Sequence, residues 1–372
     1  MASSFFRKYT KRFFLYLNIA VALFFLLGCL TPFINPVSWW VIGFLGLLMP
    51  YLIIILILFV FFWLFTKPLF SILPLLCLVI GYTQIKAVFA FNASYLFSEN
   101  KKPFNIRIVD WNIRGFEGLS GKAKKKLVKA DIVNNILDLK PDIICLQEFN
   151  HSDKRGIESK HLNLFAKNYP YYYFSKDISK DNGFYESGSI IFSRYPIVDS
   201  GKISFAGPNA KSLIFADIVL NNDTIRAFTT HLQSFKFTHR DYANIEKIQR
   251  EPDETLSSSR GVLRKMKSAF IKRGKQAELV RNELNKSPYP SFIAGDFNDV
   301  ANSFTYFHIK QNWQDAFLET NFGIGRTFVS LAPTLRIDFI LVDNRFKIHQ
   351  MDLLDEEFSD HVLLVADISI KK

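Results

Sequence analysis

The sequence predicts an α+β domain of two packed β-sheets flanked by helices, preceded by a membrane unit of about three helices. Residues 13–97 carry almost no charge and hold much of the Phe, Leu and Ile, whereas charged and apolar residues alternate from Lys101 onward. The second part combines many short strand-like runs with a few helical patterns, which is typical of an α+β fold. We therefore divide the chain into a membrane domain, residues 1–98, and a soluble domain, residues 101–372.

Three apolar stretches, residues 13–30, 40–65 and 68–85, approach or exceed the ~20 apolar residues that cross a ~30 Å hydrocarbon core. Four basic residues precede the first stretch, while the loop 31–38 is uncharged: Arg7, Lys8, Lys11 and Arg12. The positive-inside bias then places the N-terminus in the cytoplasm, and three crossings leave the second domain outside. We expect a multi-pass protein of a bacterial-type inner membrane with a periplasmic domain. Alternatively, Leu27-Gly28-Cys29 marks a lipoprotein-like cleavage site, which would also leave that domain outside.

Cysteine content and charge exclude some classes of protein and leave others open. Cys29, Cys77 and Cys145 all lie in apolar stretches, so we expect neither a disulfide framework nor a thiolate metal site. The net charge is +12; the first 100 residues hold six basic residues and one acid, which leaves +7 for the remainder. A mildly basic domain fits an anionic substrate or an anionic membrane surface, and it also fits ordinary solubility.

Apolar periodicity predicts the elements of the second domain in order. The first strand alternates Ile106 and Ile108 with Arg107 and Val109, and the first helix ends before Pro141. Strands are predicted at residues 105–112, 142–146, 171–174, 188–193, 213–220, 224–230, 291–294, 336–342, 346–354 and 362–368, and helices at 128–139, 161–167 and 262–285. The polar segment 234–259 is either a loop that shapes access to a site or a surface insert.

Polar side chains follow several of these strands, and each alone is ordinary: a solvated Glu, an Asx turn or a single His. They are Asn112, Glu148, His231, Asp296, Asn298 and His361. Asp338 lies inside an apolar strand, where a carboxylate is costly unless paired, and we take His361 as its partner. Together these groups match the needs of phosphodiester hydrolysis, which are a hard cation on carboxylates, a group that orients water, and donors to the phosphate oxygens.

Seven short motifs carry a resemblance to the endonuclease/exonuclease/phosphatase superfamily, in that family's order and over residues 103–370. The motifs are Trp111-Asn112-Ile113-Arg114, Leu146-Gln147-Glu148, residues 188–196, Thr230-His231-Leu232, Gly295-Asp296-Phe297-Asn298, Arg336-Ile337-Asp338 and Ser359-Asp360-His361. Any one motif is a weak signal, whereas seven in sequence are strong. The resemblance implies a four-layered α/β/β/α sandwich of the DNase-I-like type, with Mg²⁺ or Mn²⁺ at one edge of the sheets.

The resemblance also implies roles for individual residues. Glu148 would bind the metal, with Asn112 and Asp360 near it. Asp296 would orient or deprotonate the attacking water. Asn298 would contact the phosphate, and His361, held by Asp338, would stabilise the transition state.

Two positions depart from abasic-site endonucleases and favour the DNase-I-like, sphingomyelinase-like side of the superfamily. His231 stands where those enzymes usually place a Tyr, and Arg114, a candidate substrate-binding residue, stands where they have an acid. The missing acid puts a two-metal scheme in doubt. In deoxyribonucleases the corresponding His pairs with a carboxylate, for which Glu186 is the candidate here.

The leading hypothesis is a membrane-anchored, metal-dependent phosphoesterase that acts outside the cytoplasm. Its partners would be the lipid bilayer and a phosphate-ester substrate of the nucleic acid, phospholipid or inositol phosphate type, and no obligate protein partner can be inferred. The alternative is a non-catalytic phosphate-binding module that keeps the fold. A channel or transporter is disfavoured because the three apolar stretches lack the ionisable residues that would mark a pathway.

Overall fold

The computed structural model describes residues 2–93, 97–118, 125–153, 160–207, 210–238, 240–243, 245, 256–355 and 357–371. Four helices make up the N-terminal unit: α1 (Ala2–Gly28), α2 (Ile42–Thr66), α3 (Ile72–Ile80) and α4 (Tyr82–Val88). Helices α1 and α2 are antiparallel, with the Phe14 and Phe62 rings 4.9 Å apart. Phe25, Met49 and Leu56 are buried between the helices, so the unit has an apolar core of its own.

Two of these helices are long and apolar enough to cross a membrane. They cover Tyr9–Gly28 and Ile42–Thr66, within the described residues. The third predicted stretch forms a bent pair, Pro68–Ile80 and Tyr82–Val88, with an angle of 67° at the break near Gly81. The described helices therefore provide two candidate spans, or three if the bent pair is one span.

The second domain contains two main sheets within the described residues. The strands are β1 (Ala90–Phe91), β2 (Ile106–Asn112), β3 (Ile143–Ser152), β4 (Tyr171–Phe174), β5 (Ile178–Lys180), β6 (Tyr185–Ser193), β7 (Ile197–Ser204), β8 (Ser212–Leu220), β9 (Asp223–His231), β10 (Ser291–Asp296), β11 (Gln314–Asp315), β12 (Phe322–Gly323), β13 (Asp338–Val342), β14 (Phe346–Leu354) and β15 (Leu363–Ile370). The larger sheet has the order β14-β15-β2-β3-β6-β4, with β5 paired to β6, and the smaller has the order β11-β13-β10-β9-β8-β7.

The two sheets pack face to face, and helices cover their outer faces. Ile108 and Ala366 from one sheet meet Ile214 and Ala294 from the other in the central core. Helices α5 (Lys125–Asp138) and α6 (Leu162–Ala166) cover the larger sheet, while α7 (Leu256–Asn285) and α8 (Phe304–Lys310) cover the smaller one; a short helix α9 (Ala316–Thr320) follows β11. The predicted four-layered α/β/β/α sandwich is confirmed.

Some elements differ from the prediction. Strand β3 does not end near Glu148 but continues to Ser152 through a shift of register between Leu146 and Phe149. Strand β7, helix α8 and helix α9 were not predicted, because their apolar patterns are short. Much of the segment 234–259 lies outside the described residues, apart from its first residues and the start of α7. The proposed domain boundaries stay a prediction.

The N-terminal helices pack directly on the sandwich. Asn302 donates a hydrogen bond from Nδ2 to the Gly28 carbonyl oxygen at 3.2 Å. Arg336, which is buried, donates from Nη2 to the Ala87 carbonyl oxygen at 2.9 Å. The two parts of the chain therefore share buried polar contacts at the ends of α1 and α4.

Candidate active site

The predicted site residues meet at one edge of the sandwich, where strand ends of both sheets converge. Strands β2 and β3 run parallel in the larger sheet, and β9 and β10 run parallel in the smaller sheet. Asn112, His231 and Asp296 are the last residues of β2, β9 and β10. Asp338 begins the antiparallel strand β13 directly opposite Asp296. Polar side chains from distant parts of the sequence therefore lie together at this edge of the sandwich, because parallel strands end on the same side of a sheet.

The buried carboxylate of Asp296 is the centre of the arrangement. Its Oδ2 accepts a hydrogen bond from Asn112 Nδ2 at 3.1 Å and lies 3.5 Å from His231 Nε2 and 3.8 Å from His361 Nε2. Its Oδ1 accepts a hydrogen bond from the backbone N–H of Asn298 at 2.8 Å. One oxygen therefore faces an amide and two imidazoles that come from three different strands or loops.

His361 is held from behind by Asp338, as predicted. Its Nδ1 lies 3.0 Å from each carboxylate oxygen of Asp338, and both side chains are buried. The backbone is fixed as well, because Trp111 Nε1 donates to the His361 carbonyl oxygen at 2.8 Å and Ser359 Oγ donates to the Asn112 carbonyl oxygen at 2.7 Å. The imidazole consequently presents Nε2 towards Asp296.

Backbone geometry exposes two of the side chains. Glu148 lies at the register shift of β3 with φ +53°, and Asn298 follows β10 with φ +53°. A left-handed residue at a β-bulge redirects its side chain out of the sheet, which a regular strand would not do. Gly295 has φ +154°, and a Cβ there would lie 2.2 Å from the Thr230 carbonyl oxygen. The close approach of β9 and β10 therefore requires glycine at this position.

Burial and neighbouring charges set the protonation of the site. Burial alone would lower the pKa of His361, but the carboxylates of Asp338, Asp296 and Asp360 outweigh it and raise that pKa to about 10. Burial raises the pKa of Asp296 to about 7 against the opposing effect of His361. Burial, with Lys211 and His361 nearby, lowers the pKa of His231 well below its ordinary value. The site thus holds one protonated and one neutral imidazole.

A buried polar pair, Gln147 and Asp110, supports the site from beneath; Gln147 was quoted in the sequence analysis only within the Leu146-Gln147-Glu148 motif, and neither residue was given a role there. Gln147 Nε2 donates to Asp110 Oδ1 at 2.8 Å and to Thr229 Oγ1 at 3.0 Å, which ties the two sheets together. Burial, followed by the charge of Asp338, raises the pKa of Asp110 well above its ordinary value. The sequence offers two signals for them: Gln147 belongs to a motif of the family resemblance, and Asp110 lies within the predicted strand 105–112, two residues before Asn112.

The donors around the cavity fit a hard divalent cation. Glu148, with 39% of its side chain exposed, accepts no hydrogen bond from the described residues, and its Oε1 lies 4.0 Å from His231 Nε2. Asn112 and Asp360 line the same cavity, and Asn112 Oδ1 accepts a hydrogen bond from the Arg114 backbone N–H at 3.2 Å. Asp296, Asp338 and His361 also offer ligand atoms within 4.8 Å of one another, but Nδ1 of His361 is engaged by Asp338. Oxygen donors of this kind suit Mg²⁺ or Mn²⁺.

A cavity of about 480 Å³ brings most of the predicted residues together. Its wall includes the predicted residues Asn112, Arg114, Glu148, His231, Asp296, Asn298, Asp360 and His361. Glu186 is not among them. It pairs with Lys176 at 3.0 Å, whereas His231 Nδ1 is buried without a hydrogen-bond partner in the described part of the chain. The expected pair of Glu186 and His231 is therefore wrong, because the register of β6 places Glu186 opposite His151.

The cavity also has a lining that the sequence analysis did not identify. Lys236 and Tyr242 come from the described part of the polar segment after β9. Several apolar side chains also line it: Leu47, Phe235, Phe237, Val300, Phe328, Leu331, Leu335 and Ile337. Leu47 belongs to α2. No local sequence pattern predicts that it lines the cavity, because this depends on how α2 packs against the sandwich.

A two-sheet sandwich that gathers a carboxylate and two imidazoles at its strand ends defines the DNase-I-like class of phosphate-ester hydrolases. Residues 111–361 match the model of the Endonuclease/Exonuclease/phosphatase family, which covers more than half of the chain. The chain belongs to this family and is a phosphate-ester hydrolase. Residues 11–88 match a separate domain of unknown function. Among curated protein sequences, none matches this chain.

Comparison with solved structures finds similar chains, and the first of them has the same fold. An endonuclease/exonuclease/phosphatase from Beutenbergia cavernae DSM 12333 aligns with a TM-score of 0.51 at 17% identity, over 72% of each chain. The human Nocturnin catalytic domain aligns with a TM-score of 0.49 at 20% identity, over 72% of this chain and 94% of that one. D. rerio TDP2, complexed with a single-strand DNA product, aligns with a TM-score of 0.48 at 16% identity, over 71% and 99%.

Proposed function

We propose that this protein is a membrane-anchored, metal-dependent phosphoesterase whose catalytic domain faces the extracytoplasmic side. The observation that carries the proposal is the convergence of two imidazoles and the Asn112 amide on Asp296, beside the half-exposed carboxylate of Glu148. Acid, amide and imidazole groups at these distances are those that hydrolysis of a phosphate ester by water requires. Nucleic acid and phospholipid head groups are both substrates that this chemistry accepts.

Each residue has a role in this proposal. Glu148, with Asn112 and Asp360, holds the cation, which when bound neutralises the phosphate and polarises its oxygens. Asp296 accepts a hydrogen bond from the attacking water and orients it towards phosphorus. His361, kept protonated by Asp338, donates to a phosphate oxygen as negative charge develops there. The neutral imidazole of His231 and the Asn298 amide supply further donors.

The distribution of charge supports the proposed topology. Lys11 lies over the Phe70 ring at 5.0 Å, so the start of α1 and the turn after α2 are at the same end of the helical unit. The sandwich contacts the opposite end, through Gly28 and Ala87. If the helices span the membrane, basic residues and catalytic domain lie on opposite sides, and the positive-inside bias places the basic end in the cytoplasm.

Activity of the full chain, purified in detergent, tests the chemistry. We expect turnover of bis(p-nitrophenyl) phosphate with Mg²⁺ or Mn²⁺, and loss of that turnover in His361→Ala with unchanged circular dichroism. A conservative surface substitution on α7, Lys272→Gln, serves as the control and should retain turnover. A correctly folded protein that binds phosphate but hydrolyses no ester in a broad panel would support the phosphate-binding module instead.

A reporter fused after Lys102 tests the topology. Alkaline phosphatase is active only outside the cytoplasm, so we expect strong phosphatase activity of the fusion. A reporter that is active only in the cytoplasm should remain silent at the same position. The opposite pattern would contradict the extracytoplasmic placement without affecting the catalytic assignment.

A further inference from the structure

The cavity has two chemically different sides. One group of lining residues, called the polar side below, consists of the catalytic groups with the cations of Arg114 and Lys236. The other group, called the apolar side below, contains Leu331, Leu335 and the stacked rings of Phe235 and Phe237, whose centroids are 5.1 Å apart. A phosphate and its metal need only the polar side. The apolar side therefore indicates that the group attached to the phosphate is itself apolar.

Helix α2 of the N-terminal unit is part of the apolar side. Leu47 lines the cavity, while its neighbour Leu48 lies outside it and is 47% exposed. The helix is held in this position by close packing, because a Cβ on Gly46 would lie 2.4 Å from the Asn302 carbonyl oxygen. Along the same helix, the hydroxyls of Tyr51 and Thr334 lie 3.4 Å apart, which joins α2 to the loop that carries Leu331 and Leu335.

Aromatic contacts pack helix α2 against the apolar side of the cavity. The Phe44 ring of α2 meets the Phe270 ring of α7 at 5.3 Å, and Phe270 meets Phe235 at 5.5 Å. A Cβ on Gly43 would lie 2.6 Å from the Phe270 ring, so the helix and the catalytic domain are in direct contact here. The apolar side of the cavity therefore packs, through the fully buried Phe270, directly against a candidate membrane span.

The position of Leu47 along α2 places it at the edge of the bilayer. The helix has 25 residues, about 37 Å at 1.5 Å per residue, and thus exceeds a ~30 Å hydrocarbon core by a few residues. Contacts of the sandwich with Gly43 and Gly46 put this excess on the side of the catalytic domain. Trp39, which is exposed just before the helix, fits the level of the head groups. Leu47 therefore lies near the boundary between head groups and acyl chains.

We infer that the substrate is the phosphoester of a membrane lipid, with its phosphate at Asp296 and its acyl part along the side formed by Leu47, Phe235 and Leu331. This inference rests on the proposed function and adds the substrate class to it. The phosphate of a lipid lies between the head group and the acyl chains, at the depth that α2 gives to the cavity. The bases of a nucleic acid can stack on the Phe235 and Phe237 rings. The aliphatic side chains of Leu47, Leu331 and Leu335, beside a candidate membrane span, instead favour an acyl chain.

A series of soluble esters with the same leaving group tests the inference on the full chain in detergent with Mg²⁺. Methyl, butyl and octyl p-nitrophenyl phosphate are used below their aggregation limits. We expect kcat/KM to rise with alkyl length, by up to about fourfold for each methylene that the apolar side buries. Leu47→Asn should reduce the ratio of kcat/KM for the octyl ester to kcat/KM for the methyl ester at least tenfold. Leu48→Asn, the same change on the next residue, is the matched control and should retain it.

A second measurement does not depend on turnover. A phospholipid with a diazirine in its acyl chain, in vesicles that contain the full-length protein, should label Leu47, Phe235 or Leu331 on irradiation. Turnover that is independent of chain length, together with labelling confined to the outer helix faces, would overturn the lipid inference and leave the proposed function intact. Absence of turnover on every ester would instead overturn the proposed function. Labelling of the cavity residues in that case would still show that a lipid acyl chain reaches the apolar side of the cavity.

Discussion

Substitution of Asp338 by Asn tests the pairing on which the site depends. The carboxylate holds His361 Nδ1 at 3.0 Å from both oxygens, and both residues are buried. Two opposite charges about 4 Å apart, at an effective dielectric constant of about 20, attract by about 4 kcal/mol. That energy corresponds to roughly a thousandfold in proton affinity, which is of the size needed to overcome burial and, with Asp296 and Asp360, raise the His361 pKa from 6.5 to about 10.

Without this charge, His361 loses much of its preference for the protonated form and can no longer donate reliably to the phosphate. Removing one donor of this type commonly costs about 10²–10³ in kcat. We expect a loss of that size for Asp338→Asn with KM nearly unchanged, since the donor acts on charge that develops during the reaction. Initial rates on bis(p-nitrophenyl) phosphate over a range of substrate concentrations provide both constants.

Asp343→Asn is the control for effects on folding alone. Asp343 follows the other end of the same strand, is buried, and accepts hydrogen bonds from the Ser291 backbone and from Arg345. Its loss should lower the melting temperature and leave kcat close to that of the native protein. A kcat for Asp338→Asn within threefold of native, in folded protein, would show that the carboxylate does not act through His361.

Three further outcomes are expected. Glu148→Gln, or a chelator of divalent cations, should lower kcat at least a hundredfold with unchanged circular dichroism, because this carboxylate and that of Asp360 are the proposed anionic ligands of the cation. Full turnover in chelator would exclude a metal. Gly295→Ala should destabilise the fold by about 1–3 kcal/mol, measured by denaturant titration, since the added Cβ would collide with Thr230. An unfolding midpoint equal to that of the native protein would contradict the close packing of Gly295 against Thr230. Burial lowers the pKa of His161 from 6.5 to about 4, so between these pH values the unfolded chain binds more protons than the folded one, and stability falls as the pH drops. The melting temperature should therefore fall less between pH 7 and pH 5 in His161→Phe than in the native protein. Equal falls would refute the assignment of this pKa shift to His161.

Local patterns predicted the strands and placed polar residues at their ends. Strand alternation is a property of neighbouring residues, so β2, β9 and β10 were identified together with Asn112, His231 and Asp296. The pairing of Asp338 with His361 followed from the cost of a lone buried carboxylate. These features depend on short-range pattern and on a general energetic rule, both of which the sequence contains.

Features that depend on long-range geometry could not be predicted in the same way. Glu148 is exposed by a bulge inside β3 and not by the end of a strand, because the register shift depends on the pairing of β3 with β6. The same pairing directs Glu186 to Lys176 and away from His231. The link from Gln147 to Thr229 joins two sheets, and no local pattern specifies which strands face each other.

The docking of α2 on the sandwich affects how this protein can be altered. The region that matches the hydrolase family starts at residue 111, whereas Leu47 lies in the separate N-terminal domain of residues 11–88. Because a side chain from the N-terminal domain lines the cavity of the catalytic domain, a change in the sequence of one domain affects the other. A chimera that receives the N-terminal helices of another protein should therefore change in substrate selectivity as well as in location. A truncated chain without these helices would expose the Phe270 ring to solvent.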